Sequence, residues 1–138
     1  MTRYVLDACA LIALIYDEDG ANVVAEEFNL ANDGKVELRM HKANLLEVYY
    51  YCWRTNGKPK ADWFWSELLK RPVSITSENS DELFEEAARL KSLYKVSFAD
   101  TFALAETSVS GGILLTADHH EMDAVERDEP GICFKWIR

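Results

Sequence analysis

Four carboxylates stand out by their surroundings: Asp7, Glu47, Asp100 and Asp118. Asp7 ends the apolar run Tyr4-Val-Leu and leads straight into Ala8-Cys-Ala-Leu-Ile-Ala-Leu-Ile15. Glu47 is the only charge between Ala43 and Trp53, Asp100 follows Ser97 by three residues, and Asp118 follows Ile113-Leu-Leu-Thr116. Acids of this kind, if brought together, make a site for a hard divalent cation such as Mg²⁺ or Mn²⁺, which takes several oxygen ligands and keeps some waters. Clustered carboxylates repel one another and stay ionised together only with cations present.

Each acid also has a plainer reading. Asp7 can cap the helix that follows it by accepting a backbone N–H bond. Ser97 and Asp100 have the spacing of a capping box, and Asp118 can cap a helix with Glu121 completing a second box. Glu47 is placed by periodicity beside Tyr51 and Arg54, opposite the stripe Leu45, Val48, Tyr49 and Cys52, so that it faces outward. Capping accounts for each Asp singly and gives no reason for three of them to share one edge of a fold.

The elements needed to position these residues are legible along the chain. Strands are expected at about 3–7, 36–40, 72–76, 113–116 and 132–136, and helices at about 9–16, 20–32, 42–55, 59–70, 81–94, 98–110 and 119–126. Asn56-Gly57 and Pro59 make helices 42–55 and 59–70 a hairpin. In helix 81–94 the expected inward stripe is Leu83, Phe84, Ala87, Leu90 and Tyr94. Strands separated by helices imply a parallel sheet covered on both faces, and right-handed crossovers then put Asp7 and Asp118 at the same edge. In such a sheet, ligands collect outside the carboxyl ends of the strands.

The bulk properties bound the class. The chain has 138 residues, 49% hydrophobic and 28% charged, which suits one globular domain spanning 1–138. No apolar run approaches a membrane span and no secretory leader precedes the first strand, so a cytoplasmic protein is expected. Cys9, Cys52 and Cys133 are too few and too scattered for a disulfide framework or a zinc site. The net charge of −9 disfavours tight binding to bare duplex and suits a basic protein partner. Local cations remain at Arg54, Lys58 and Lys60 and at Arg89, Lys91 and Lys95.

Leu6-Asp-Ala-Cys-Ala-Leu-Ile-Ala-Leu14, Asn44-Leu-Leu-Glu-Val48, Phe98-Ala-Asp-Thr-Phe-Ala-Leu-Ala105 and Leu115-Thr-Ala-Asp118 together resemble the PIN domain, in order and in spacing, over essentially the whole chain. The resemblance is strongest to the single-domain toxin ribonucleases of the VapC type. It implies a three-layer α/β/α sandwich with a central parallel sheet and an endoribonuclease dependent on Mg²⁺ or Mn²⁺. It also implies an RNA substrate, a cognate antitoxin as partner and a homodimer. Asp7, Glu47, Asp100 and Asp118 occupy the family's acidic positions and are expected to be both catalytic and metal-binding. One departure is Cys9, which stands where the family commonly has Ser.

Other residues rank lower on this reading. His119 and His120 are expected at a solvated helix start, Glu121 and Asp123 as surface charge, and Trp53, Trp63 and Trp65 mostly in the core, with room for one or two of them at a dimer or antitoxin surface. Cys9 has no paired His and is not a nucleophile. Two rival functions remain: a PIN-fold binding module without turnover, and a phosphoacceptor receiver domain. The second would need paired acids after the first strand and an Asp ending the middle one, and this chain has neither.

Overall fold

Alternating runs of apolar residues and helix formers give twelve elements, and the computed structural model describes all of residues 1–138. In chain order they are β1 (Thr2–Leu6), α1 (Ala8–Ile15), α2 (Ala21–Asn32), β2 (Val36–His41), α3 (Lys42–Asn56), α4 (Lys58–Leu69), β3 (Val73–Thr76), α5 (Asp81–Leu93), α6 (Phe98–Ser110), β4 (Ile113–Thr116), α7 (His119–Asp128) and β5 (Cys133–Trp136). The sheet has the order β3-β2-β1-β4-β5, and every neighbouring pair is parallel.

The pleat divides the core between the two faces of the sheet. Val5 and Leu114 point to one side, among Leu83, Leu90, Leu104, Met122 and Val125 of α5, α6 and α7. Leu6 and Leu115, one residue on, point to the other, among Leu11, Val24, Leu45, Phe64 and Leu68 of α1 to α4. Successive strand residues face opposite sides, so a strand covered on both faces must be apolar at every position. That is why Val5-Leu6 of β1 and Leu114-Leu115 of β4, buried on opposite faces, are apolar at consecutive positions. Each fully buried Leu or Val contributes about 1.5–3 kcal/mol. The result is the expected three-layer α/β/α sandwich.

Local signals set the ends of the helices. Ser80 Oγ accepts the Leu83 N–H (3.1 Å) to start α5. Gly111, at φ +69° in the left-handed region that favours glycine, closes α6 and turns the chain into β4. Pro59 sits in the first turn of α4. One packing expectation is narrowed and one is corrected. Trp53 and Trp63 are 46% and 49% exposed, because the outer faces of α3 and α4 carry no covering layer. Phe84 is also exposed, since only the narrower stripe Leu83, Ala87 and Leu90 meets the sheet. No helix is long and apolar enough to cross a membrane.

Candidate metal centre

Strand order reverses between β1 and β4, the two neighbours that run to opposite sides of the sheet. A crevice forms at such a switch point, outside the carboxyl ends of the strands. Asp7 and Asp118 leave β1 and β4 at this crevice, and the expectation that they share an edge holds.

Asp7 is 1% exposed. Its Oδ1 accepts the Ala10 N–H (2.9 Å), so the capping role is real, while its Oδ2 faces the Cys9 thiol at 3.6 Å. Burial pushes its pKa up to about 6, against the pull of hydrogen bonds from Thr116, Ala10 and Cys9, and the Asp118 charge pushes the same way. The Cys9 sulfur accepts the Ala117 N–H (3.2 Å) and lies 3.7 Å from Thr116 Oγ1. Burial and then the Asp7 charge raise the thiol's pKa, which keeps it protonated and rules out a thiolate nucleophile.

Asp100 and Asp118 reach the crevice from α6 and α7. Ser97 Oγ accepts the Asp100 N–H (3.2 Å), half of the expected capping box. The other half is not made by Asp100. Glu121 of α7 accepts the Ser97 N–H instead, at 2.8 Å, which leaves the Asp100 carboxyl free to face the crevice. Asp118 Oδ1 accepts the Glu121 N–H (3.2 Å), while its own N–H donates to Thr116 Oγ1 (3.0 Å).

Carboxylate oxygens of Asp100, Asp118 and Glu121 lie within 4.8 Å of one another. Burial, followed by the contact with Glu121 and the charges of Asp7 and Asp118, pushes Asp100 up to about 9. The same contact lowers the pKa of Glu121. Asp100 holds the proton because it is the more deeply buried of the two. Glu121 is thus a member of the cluster rather than the surface charge expected. It was missed because the helix start that made it a box partner said nothing of the Ser97 N–H across the crevice.

Glu47 also departs from its expected outward position. It does share a face with Tyr51 and Arg54, but at its end of α3 that face turns toward the crevice. It is half-buried, and its pKa is raised by burial and then by the charges of Glu121 and Asp118. Asn44, one turn earlier, is fully buried; its Oδ1 accepts the Ala8 N–H (3.3 Å) and its amide donates to Ala99 O (3.0 Å). It braces the first turns of α1 and α6, the segments that carry Asp7 and Asp100. A lone Asn between Ala43 and Leu45 was the available signal. His119 is exposed as expected, bonded to Asp123 (2.9 Å) and stacked on Trp136.

No Lys or Arg pairs with any of the five acids. The donor set is all carboxylate oxygen with the one nearby sulfur protonated, and that fits a hard divalent cation. None of these acids lines the groove of about 320 Å³ between α1, α2 and α4, whose walls include Leu11, Phe28, Trp63 and Leu68.

The PIN domain family model matches residues 4–128. The chain belongs to the PIN domain family. No curated protein matches its sequence. Among solved structures, its fold is similar to a chain of VapBC2 from Rickettsia felis, solved bound to a DNA fragment from their promoter, with 13% identity and TM-score 0.74 over 98% of both chains. It is similar to DNA-bound VapBC from Salmonella typhimurium, with 12% identity and TM-score 0.75 over 100% of both chains. It also resembles VapC20 from Mycobacterium tuberculosis, described as a Sarcin-Ricin loop cleaving toxin, with 17% identity and TM-score 0.62 over 80% of this chain and 86% of that one. At such identities the likeness is one of fold.

Proposed function

We propose that this PIN domain is a metal-dependent endoribonuclease that hydrolyses RNA phosphodiester bonds as the toxin of a type II toxin–antitoxin pair. The observation that carries the reading is the grouping of Asp100, Asp118 and Glu121 within 4.8 Å at the switch point, with Asp7 and Glu47 near enough to exchange charge effects with them and no Lys or Arg paired to any of the five.

Asp7, Asp100 and Asp118 would hold Mg²⁺ or Mn²⁺, with Glu47 helping directly or through water. When bound, the cation supplies Lewis acidity and lowers the pKa of water into the neutral range. The chain's own residues arrange the rest. Asp7 keeps Oδ1 on the Ala10 N–H and offers Oδ2. Thr116 holds the backbone of Asp118, and Asn44 holds the helix starts on either side. No protein base is required for in-line hydrolysis, which would leave a 5′-phosphate and a 3′-hydroxyl.

A cognate antitoxin and a homodimer belong to the same reading, supported by the toxin–antitoxin complexes whose fold the chain shares. Three free cysteines agree with the reducing cytoplasm such a pair would occupy.

The test is cleavage of a mixed cellular RNA pool with Mn²⁺ or Mg²⁺, with and without chelator, beside an identically purified Asp100→Asn protein. Discrete cuts that need metal and disappear in the variant are expected. Equal cutting by both proteins, or no cutting by either, would overturn the proposal.

A further inference from the structure

The hairpin of α3 and α4 gathers cations and aromatic rings on a chain of net charge −9. Arg54 lies over the Tyr50 ring (5.2 Å), and Lys60 over both Trp63 (4.2 Å) and Tyr16 (5.6 Å). Tyr50, Tyr51 and Trp63 are exposed. Lys58, beside them, is neutralised by Asp62 at 2.8 Å, but neither Arg54 nor Lys60 has a carboxylate partner. Uncompensated cations set among outward-facing rings suit a ligand that carries both anionic groups and flat apolar faces.

The strip is continuous with the acidic crevice. Tyr51 and Arg54 stand four and seven residues after Glu47, on the same face of α3, which places Arg54 roughly 10 Å further along the helix axis. Helix α1 runs from Asp7 at the crevice to Tyr16. The Tyr16 ring packs edge-on against Tyr51 (5.5 Å), and its hydroxyl donates to Asn56 Oδ1 (2.8 Å). Helix α1 therefore runs from Asp7 to the strip, and α3 carries Glu47 and the strip on one face.

We propose that this strip is the track by which single-stranded RNA leaves the acidic crevice, with Arg54 and Lys60 pairing with phosphates and Tyr51 and Trp63 stacking on bases. The inference rests on the ribonuclease reading above. A second copy of the chain would meet these cations only by bringing its own carboxylates to them, and the self-association arm of the test reads that outcome. A duplex fits poorly, since its bases are already stacked and hidden from protein rings.

The experiment uses the full chain carrying Asp100→Asn, so that a short fluorescent single-stranded RNA of mixed sequence stays intact while binding is titrated across salt. Adding Arg54→Ala and Lys60→Ala should weaken binding about tenfold and lower the slope of log affinity against log salt by about 1.4, at about 0.7 for each phosphate no longer neutralised. Arg54→Lys with Lys60→Arg should restore the slope. Tyr51→Leu should weaken binding several-fold with the slope unchanged. Tyr51 and Arg54 are exposed and Lys60 is partly so, and thermal unfolding checks that each variant is folded.

Metal-dependent cleavage of the same RNA by the wild-type chain is read in parallel. Cleavage together with unaltered affinity and slope in the alanine variants overturns the track alone. Absence of both cleavage and RNA binding overturns the ribonuclease reading as well. Loss of self-association or of acidic-peptide binding in the alanine variants, with RNA affinity intact, overturns the track in favour of a protein contact.

Discussion

Two groups of buried carboxylates in this molecule meet opposite treatment. Glu27, on α2, is 3% exposed and receives the Lys135 ammonium of β5 at 2.9 Å. The acids at the switch point, equally sheltered in Asp7 and Asp100, pair with no Lys or Arg of the chain. Burying a charge is tolerable only when it is paired, and an unpaired group takes up a proton instead. Glu27 is paired. Asp100 keeps its proton, its pKa pushed up to about 9. Glu27 is held ionised by the chain itself, whereas the Asp100 carboxyl has no Lys or Arg against it.

The comparison breaks first at the crevice. Asp118→Asn or Asp100→Asn should reduce metal-dependent RNA cleavage at least about 100-fold, since each removes a ligand charge from the proposed site. In chelator, Asp100→Asn should raise the melting temperature by several degrees, about 1 kcal/mol of relieved burial and repulsion. A melting temperature that falls would mean that Asp100 stabilises the fold as Glu27 does. The matching change at the other group is Lys135→Met, which leaves Glu27 buried and alone. Breaking a fully buried pair costs about 3–5 kcal/mol. The Lys135 side chain is 40% exposed, so about 2 kcal/mol is expected in urea unfolding, with cleavage retained.

Glu121 belongs to both worlds, as cluster member and as acceptor for the Ser97 N–H. Glu121→Gln should keep the cap and change stability little. Glu121→Ala should lose about 1 kcal/mol with the cap. Both should weaken the Mn²⁺-induced rise in melting temperature, and equal stability of the two variants would remove the capping role.

The smallest effect is expected at Glu106 of α6. One of its oxygens accepts the Thr76 hydroxyl and the other is buried without a partner. Burial raises its pKa, against the Thr76 bond and the nearby charges of His41 and Arg39. Folding therefore favours its protonated form. That contribution is complete below the ordinary Glu pKa and is lost as pH rises through the raised value. Stability should fall over this window, and Glu106→Gln should flatten the fall in urea midpoints measured across pH.

The particular residues show where local reading suffices. Asp7 could be placed from Tyr4-Val-Leu-Asp7 alone, because a buried strand covered on both faces is apolar at every step and its first carboxylate marks the end. Pro59, Gly111 and Ser80 punctuated the helices by backbone chemistry that acts within a few residues. Trp53, Trp63 and Phe84 went astray because periodicity gives a helix its stripe without saying how wide a layer will cover it.

The alternation of strands and helices, the parallel sheet, and the acids whose order and spacing match the PIN domain all follow from the order of residues along the chain. Short-range rules suffice for these, since a strand end, a cap or a crossover is decided by neighbours along the chain. The tertiary structure alone decided that Glu121 takes the Ser97 N–H and so frees Asp100, that the Glu47 face of α3 turns inward at one end, and that Asn44 ties α1 to α6. Each of these joins residues from different elements. Which donor lies within hydrogen-bond reach of which acceptor there depends on how the helices pack on the sheet, and no local pattern carries that distance.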